Sequence, residues 1–177
     1  MRKMRRSDRE TTVEKAWEIL ENAEYMTLSM MGAEGVPYGV TLSLARVDSA
    51  LYFHCANEGY KLDSLRKNPA VCVSAVLQQR TKTEEFTVAF DSAVAFGTAC
   101  EVTEQAEKEA GLLAICKKYA PENAGAAAYI AQYPQVSVWR IDVTDISGKI
   151  HDYTPIDPRR GLCYNKPRRF TERWSSG

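Results

Sequence analysis

The densest group of chemically useful residues lies between Leu51 and Pro69, where His54 and Cys55 are followed closely by Gly59, Tyr60 and Lys61. The run Leu51-Tyr52-Phe53-His54-Cys55 reads as a strand, Gly59 as a turn, and Tyr60 to Lys67 as a short helix stopped by Asn68-Pro69. That order puts a lysine in the first turn of a helix. Free backbone N–H groups, the positive helix end and the Lys61 ammonium could converge there on a phosphate. A lysine so placed is equally compatible with plain solvation, which is the commoner case.

Other chemistries are narrowed by what is absent. The chain holds two histidines, His54 and His151, and five cysteines, Cys55, Cys72, Cys100, Cys116 and Cys163. Two imidazoles cannot build a multi-histidine metal site in one subunit, and no Cys-x-x-Cys pair offers zinc-ribbon spacing, so no metal is expected. Cys72 and Cys100 sit among valines and alanines and read as small core hydrophobes. Cys55, one step along the strand from His54, points to the opposite face and reads as packing rather than as a nucleophile. Gly-x-x-x-x-Gly-Lys-Ser/Thr, Gly-x-Ser-x-Gly and His-Glu-x-x-His do not occur, which excludes P-loop hydrolysis, the usual esterases and zinc proteases.

The elements that must position this segment are mostly strands. Ser7-Asp8-Arg9-Glu10 has capping-box spacing, and Val13, Ala16, Trp17 and Leu20 recur at helical intervals, so an amphipathic helix is expected first. Strands are expected over 25–31, 36–47 and 51–55, with a Gly32-Ala33-Glu34-Gly35 turn and an Asp48-Ser49 turn between them. Residues 70–76 and 92–102 alternate as two more, separated by a polar stretch, 78–85, read as a loop. A helix over 104–119 and a last strand over 136–146 follow. Six strands with about three helical insertions and no βαβ alternation give a mainly β fold, an antiparallel barrel with peripheral helices.

At 177 residues with 45% hydrophobic and 26% charged side chains, the chain has the composition of one globular domain. We divide it into a barrel domain, 1–150, and a basic C-terminal arm, 151–177. Net charge is zero, but residues 11–150 hold twelve basic and eighteen acidic side chains between two basic ends. With no aromatic-interleaved basic patch, those ends read as solvated, and no nucleic-acid partner is expected. No apolar run reaches the ~20 residues of a membrane span, and no apolar signal core follows the basic start, so no membrane partner and a cytoplasmic address are expected.

The segment Tyr52-Phe53-His54-Cys55-Ala56, then Glu58-Gly59-Tyr60-Lys61-Leu62-Asp63 and Arg66-Lys67-Asn68-Pro69, preceded by Gly35-Val36-Pro37-Tyr38-Gly39-Val40-Thr41-Leu42, resembles the pyridoxamine 5′-phosphate oxidase-like split barrels. Within them it is most similar to the nitroimidazole-resistance branch. The likeness runs from Arg5-Arg6-Ser7-Asp8-Arg9 to about Ser147-Gly148-Lys149. The resemblance implies a six-stranded antiparallel split barrel that binds FMN and works as a homodimer, with the flavin in a cleft between subunits. It implies an oxidoreductase of nitroreductase type acting on a small molecule. Gly39, Val40, Thr41, Leu42 and Ser43 would line the isoalloxazine ring with backbone groups, His54 and Cys55 would stand at the adjoining strand end, and Tyr60 and Lys61 would face the phosphate. Ser92 would present a polar group to the ring. His54, beside the active site in that branch, would be the catalytic residue, giving a proton as electrons pass to a nitro group, or would simply be held at the strand end by hydrogen bonds.

The sequence also departs from the vitamin oxidase. Residues 39–44 lack the arginine and lysine of its first flavin strand, Tyr60-Lys61 replaces its Arg-Lys pair, and its arginine-rich C-terminal segment has no clear match beyond Arg168 and Arg169. Oxidation of a phosphorylated vitamin is therefore not expected. Two alternatives keep the same barrel: a haem-binding or haem-degrading protein with His54 or His151 as axial ligand, and a flavin-binding module without turnover.

Overall fold

The computed structural model describes residues 3–132 and 135–151. The expected basic arm with Cys163, Arg168, Arg169 and Trp174, and also Tyr133, lie outside the described residues apart from His151.

A short strand β1 (Glu10–Thr11) precedes helix α1 (Val13–Asn22), whose N-cap Thr12 accepts the Lys15 N–H through its hydroxyl at 3.2 Å. Ser7 to Arg9 form only a 3₁₀ turn, so the capping-box spacing marked a turn and the helix starts five residues later. Ala16, Trp17, Ile19 and Leu20 share one face of α1 and are buried.

Strands β2 (Met26–Met31) and β3 (Pro37–Leu42) form a hairpin with Thr27 opposite Thr41 and Ser29 opposite Gly39. The expected single strand over 36–47 is broken at Ser43-Leu44, where the fully buried Leu44 turns the chain into β4 (Ala45–Val47). Strand β5 (Ala50–Cys55) pairs back on β4, helix α2 (Tyr60–Lys67) follows, and Asn68-Pro69 ends it as expected.

Long strands β6 (Ala70–Lys82) and β7 (Thr87–Glu101) come next. The polar stretch 78–85 is not a loop: most of it continues β6, Gln78 to Lys82 pairing with Thr87 to Asp91, and from Arg80 on the two strands run past His151 of β8 as an arm. Helix α3 (Gln105–Tyr119) is capped by Glu104, and a second helix that sequence did not announce, α4 (Ala126–Gln132), precedes strand β8 (Ser137–His151).

All strands join one antiparallel sheet in the order β3-β2-β6-β7-β8-β5-β4, with β1 added on β8, curled into the half-barrel of a split-barrel fold. The six expected strands are all present, and the break at Ser43-Leu44 and the short β1 raise the number to eight. The alternating residues Leu28, Val73, Ala95 and Ile141 face α1, and with Ile19, Leu20 and Phe53 they form the main core. At Gly148 any Cβ would lie 2.5 Å from Thr11 Cγ2 and 3.0 Å from Ala16 Cβ, so a bare backbone is what lets β1 and α1 lie on β8. Cys72 and Cys100 are half-buried and point away from this core, contrary to expectation, because each alternates with a core residue, Val73 and Ala99. Among the described residues, no helix is long and apolar enough to cross a membrane.

Candidate functional site

Strand β5 delivers three consecutive side chains to alternate sides. Phe53 enters the core and stacks on Trp139 with ring centroids 6.4 Å apart, His54 faces outward, and Cys55 returns to pack against the core. Four residues separate the strand from α2, and Gly59, at φ 127°, supplies the left-handed bend that starts the helix. No side chain caps this helix start, and the space where a Gly59 Cβ would stand is open.

Lys61 extends from that first turn back over β5, its ammonium 5.0 Å from the Phe53 ring centroid. Among the described residues it has no carboxylate partner. Its charge acts on both neighbours. Desolvation and Lys61 together push the His54 pKa down, favouring neutral imidazole; burial pushes the Cys55 thiol up, against a smaller opposing pull from Lys61. Cys55 is thus a protonated packing thiol, as its place on the strand suggested. His54, Cys55, Ala56 and Asn57 form one wall of an open groove of about 540 Å³, and Gln132, Gln135 and Val136 form the other.

Tyr60 is committed differently. Its hydroxyl donates to the Glu34 carboxylate and its ring packs edge-on against Tyr38 at 5.1 Å, so within one chain it ties α2 to the β2–β3 turn. Two more bonds secure that turn: the Ser64 hydroxyl accepts the Ala33 N–H at 3.1 Å, and the Lys67 ammonium reaches the Ala33 carbonyl at 2.6 Å. Glu34 was not a sequence candidate, and the turn composition carried no signal that its carboxylate would meet Tyr60.

Gly39 to Leu42 run along β3, the last strand on one edge of the sheet, and Ser43 follows at the break. Gly39 and Thr41 are exposed, while Val40 and Leu42 lean on the core. The Tyr38–Tyr60 contact brings the start of this strand beside the start of α2. Ser92 is not brought to either: it sits on β7 opposite Lys149, eleven residues along β8 from Val138, the partner of His54. Its hydroxyl lies 3.4 Å from the Lys149 carbonyl. His151, at the far end of β8, has Nδ1 2.6 Å from the Val88 carbonyl.

The pyridoxamine 5′-phosphate oxidase family model matches residues 12–150. The chain belongs to that family. No curated protein matches it. Among solved structures, a candidate 5-nitroimidazole antibiotic resistance protein from Bacteroides thetaiotaomicron is 23% identical with a TM-score of 0.66, over 78% of this chain and 84% of that one. The flavocytochrome Anf3 from Azotobacter vinelandii is 18% identical with a TM-score of 0.68, over 88% of this chain and 75% of that one. The FAD and heme binding protein from Mycobacterium smegmatis is 19% identical with a TM-score of 0.67, over 85% and 76% respectively. At these identities the likeness shows the family's split-barrel fold, and function has to be argued from the site.

Proposed function

We propose that the chain is an FMN-dependent oxidoreductase of nitroreductase type that reduces a small molecule as a homodimer, with the flavin at the subunit interface. The observation that carries this reading is Lys61: a cation without a carboxylate partner among the described residues, at the open, uncapped start of α2, in a chain of a flavin-linked family. A phosphate suits that place, because the first-turn N–H groups and the ammonium can all donate to it. When bound, the flavin would supply the electron transfer.

The chain's own residues do the rest. Lys61 anchors the phosphate. The edge strand β3 from Gly39 to Leu42, with Ser43 after it, offers backbone groups to a flat ring. Tyr60, held by Glu34 and Tyr38, fixes α2 against the β2–β3 turn and so keeps Lys61 and β3 in one frame. Two features favour a dimer. Met31, Val76 and Phe96 leave 41%, 56% and 40% of their surface exposed on the face of the sheet opposite α1. Ser92, remote from Lys61 within one chain, would reach the flavin only from a second copy.

His54 is the proton-carrying group on the groove wall. Burial first and the charge of Lys61 second hold its pKa down, and a phosphate on Lys61 would offset the second of these.

The test starts with the absorbance spectrum of purified protein after addition of FMN, FAD or haemin. Two flavin bands that survive desalting, followed by bleaching with a nicotinamide donor and recovery on adding a nitroimidazole, are expected. A retained flavin with no turnover would leave a binding module. Retention of haemin with FMN passing through would replace the reading by the haem alternative, a ligand that the Mycobacterium smegmatis structure names alongside FAD.

A further inference from the structure

Helix α3 is flanked by two depressions that share a wall, and α4, which lines the second, also carries Gln132 of the His54 groove. One, of about 560 Å³, lies between the end of α1, β4 and α3. The other, of about 470 Å³, lies between α3 and α4. Ala110 and Leu113 line both.

The two ends differ in character. Arg46, Lys117 and Lys118 line the first depression together with one acid, Glu21. That acid is already taken, bonded to the Arg46 guanidinium at 2.9 Å, and Arg46 also lies over the Trp17 ring. Lys118 sends its ammonium inward to the carbonyls of Leu20 and Leu44, at 3.2 and 3.0 Å, and an ammonium has a third N–H to give. Carbonyls satisfy donors without cancelling charge. Burial brings Lys118 down to about 8, with Glu21 opposing.

The second depression is apolar where Ala127, Ile130 and Ala131 line it with Ala110 and Leu113, and polar where Gln105 and Glu109 do. Helix α4, six of whose seven residues are apolar, buries none of them fully. At its far end Gln105 donates to Glu109 at 2.8 Å, which puts a carboxylate where a second anion is unwelcome.

We propose that the two depressions form one binding site for an amphipathic carboxylate of the medium-chain fatty-acid class, its head on Lys117 and Lys118 and its alkyl chain across Ala110 and Leu113 towards Ile130. The polarity fixes the direction, since the reverse orientation would set the head against Glu109. The charged groups around Lys118 are Glu21 on α1, Arg46 on β4 and Lys117 on α3 itself. Binding favours the charged ammonium, so affinity falls as pH rises above 8.

Decanoate titrated calorimetrically into the full-length protein is the test. One saturable site per chain is expected, with hexanoate weaker by at least tenfold, since each methylene buried is worth about fourfold. Decanol, which lacks the charge, binds at least tenfold more weakly. Ala110→Trp, which fills the shared wall, weakens decanoate tenfold or more without moving the melting temperature, and Lys118→Met removes the preference over decanol. If Lys118→Met fails to fold, Ala110→Trp still decides. The proposal is overturned by the lack of a saturable site, by equal affinity in Ala110→Trp, or by equal binding of decanol. It is also overturned by cross-links from Lys117 that place residues 152–177 or a second copy in the cleft.

Discussion

The two faces of the sheet are built from the same strands and meet opposite fates. Beneath α1, Leu28, Val73 and Ile141 are at most 1% exposed, and the helix seals them with Ile19 and Leu20. On the other face, the next residues along, Cys72, Ser74 and Val76 on β6 and Ser92, Val94 and Phe96 on β7, are half-buried or exposed among the described residues. The first face is complete within one chain. The second has the make-up of a surface awaiting cover, and the proposed flavin and partner would supply it.

Breaking the sealed face carries the largest expected effect. Phe53→Ala removes a ring that is 1% exposed and stacked on Trp139, and a loss of about 3–5 kcal/mol in urea unfolding is expected. Lys61→Ala, at the seam between the faces, leaves the fold intact and weakens FMN by about 1.5–3 kcal/mol, roughly 10- to 100-fold in a fluorescence titration. Unchanged FMN affinity would remove Lys61 from the site.

Asp91 is the exception on the sealed face. It is 3% exposed, its Oδ2 has no hydrogen-bond partner among the described residues, and burial raises its pKa above the ordinary 3.8, with Lys15 and Glu18 of α1 exerting opposite pulls. The folded carboxyl then holds its proton to a higher pH than the unfolded one, so stability falls as pH rises from 3.8 through the folded pKa. Asp91→Asn is expected to flatten that fall and add about 1 kcal/mol at pH 7. An unchanged pH profile would mean that Asp91 is not the group responsible. Smallest in stability, within about 0.5 kcal/mol, is Val76→Arg on the open face. Its effect should appear in sedimentation instead, as loss of self-association; a variant that still dimerises would move the interface elsewhere.

What could be read in advance follows the same division. Alternation identified β6 and β7 because one face of each is buried, and that is what gives a strand its period, whereas β2 and β5 were legible as runs of β-forming residues. It failed in the β6–β7 arm, where residues 78–82 are mostly polar and largely exposed, so nothing alternates. It failed for α4 because an alanine-rich helix with no buried residue has no apolar stripe to detect. The break at Ser43-Leu44 depends on distant partners, the Lys118 ammonium and the Tyr119 hydroxyl, both donating to the Leu44 carbonyl at 3.0 Å. At the candidate site, the order of strand, glycine, lysine and helix was legible, and so was the outward turn of His54. The Tyr60–Glu34 bond and the pull of Lys61 on its neighbours arise from approaches between separate elements, which local spacing does not encode.

Strand β1 pairs with β8, Glu10 opposite Lys149 and Thr11 opposite Gly148. A strand that leaves the ribosome well ahead of its partner is therefore among the last of the sheet to find its place, and it cannot do so until β8 has been synthesised. With β8 also holding β7 and β5, the sheet lacks its middle until residues 137–151 emerge. Until then the apolar face of α1 has only part of its seat, so a nascent chain stalled before β8 should be the species that chaperones hold.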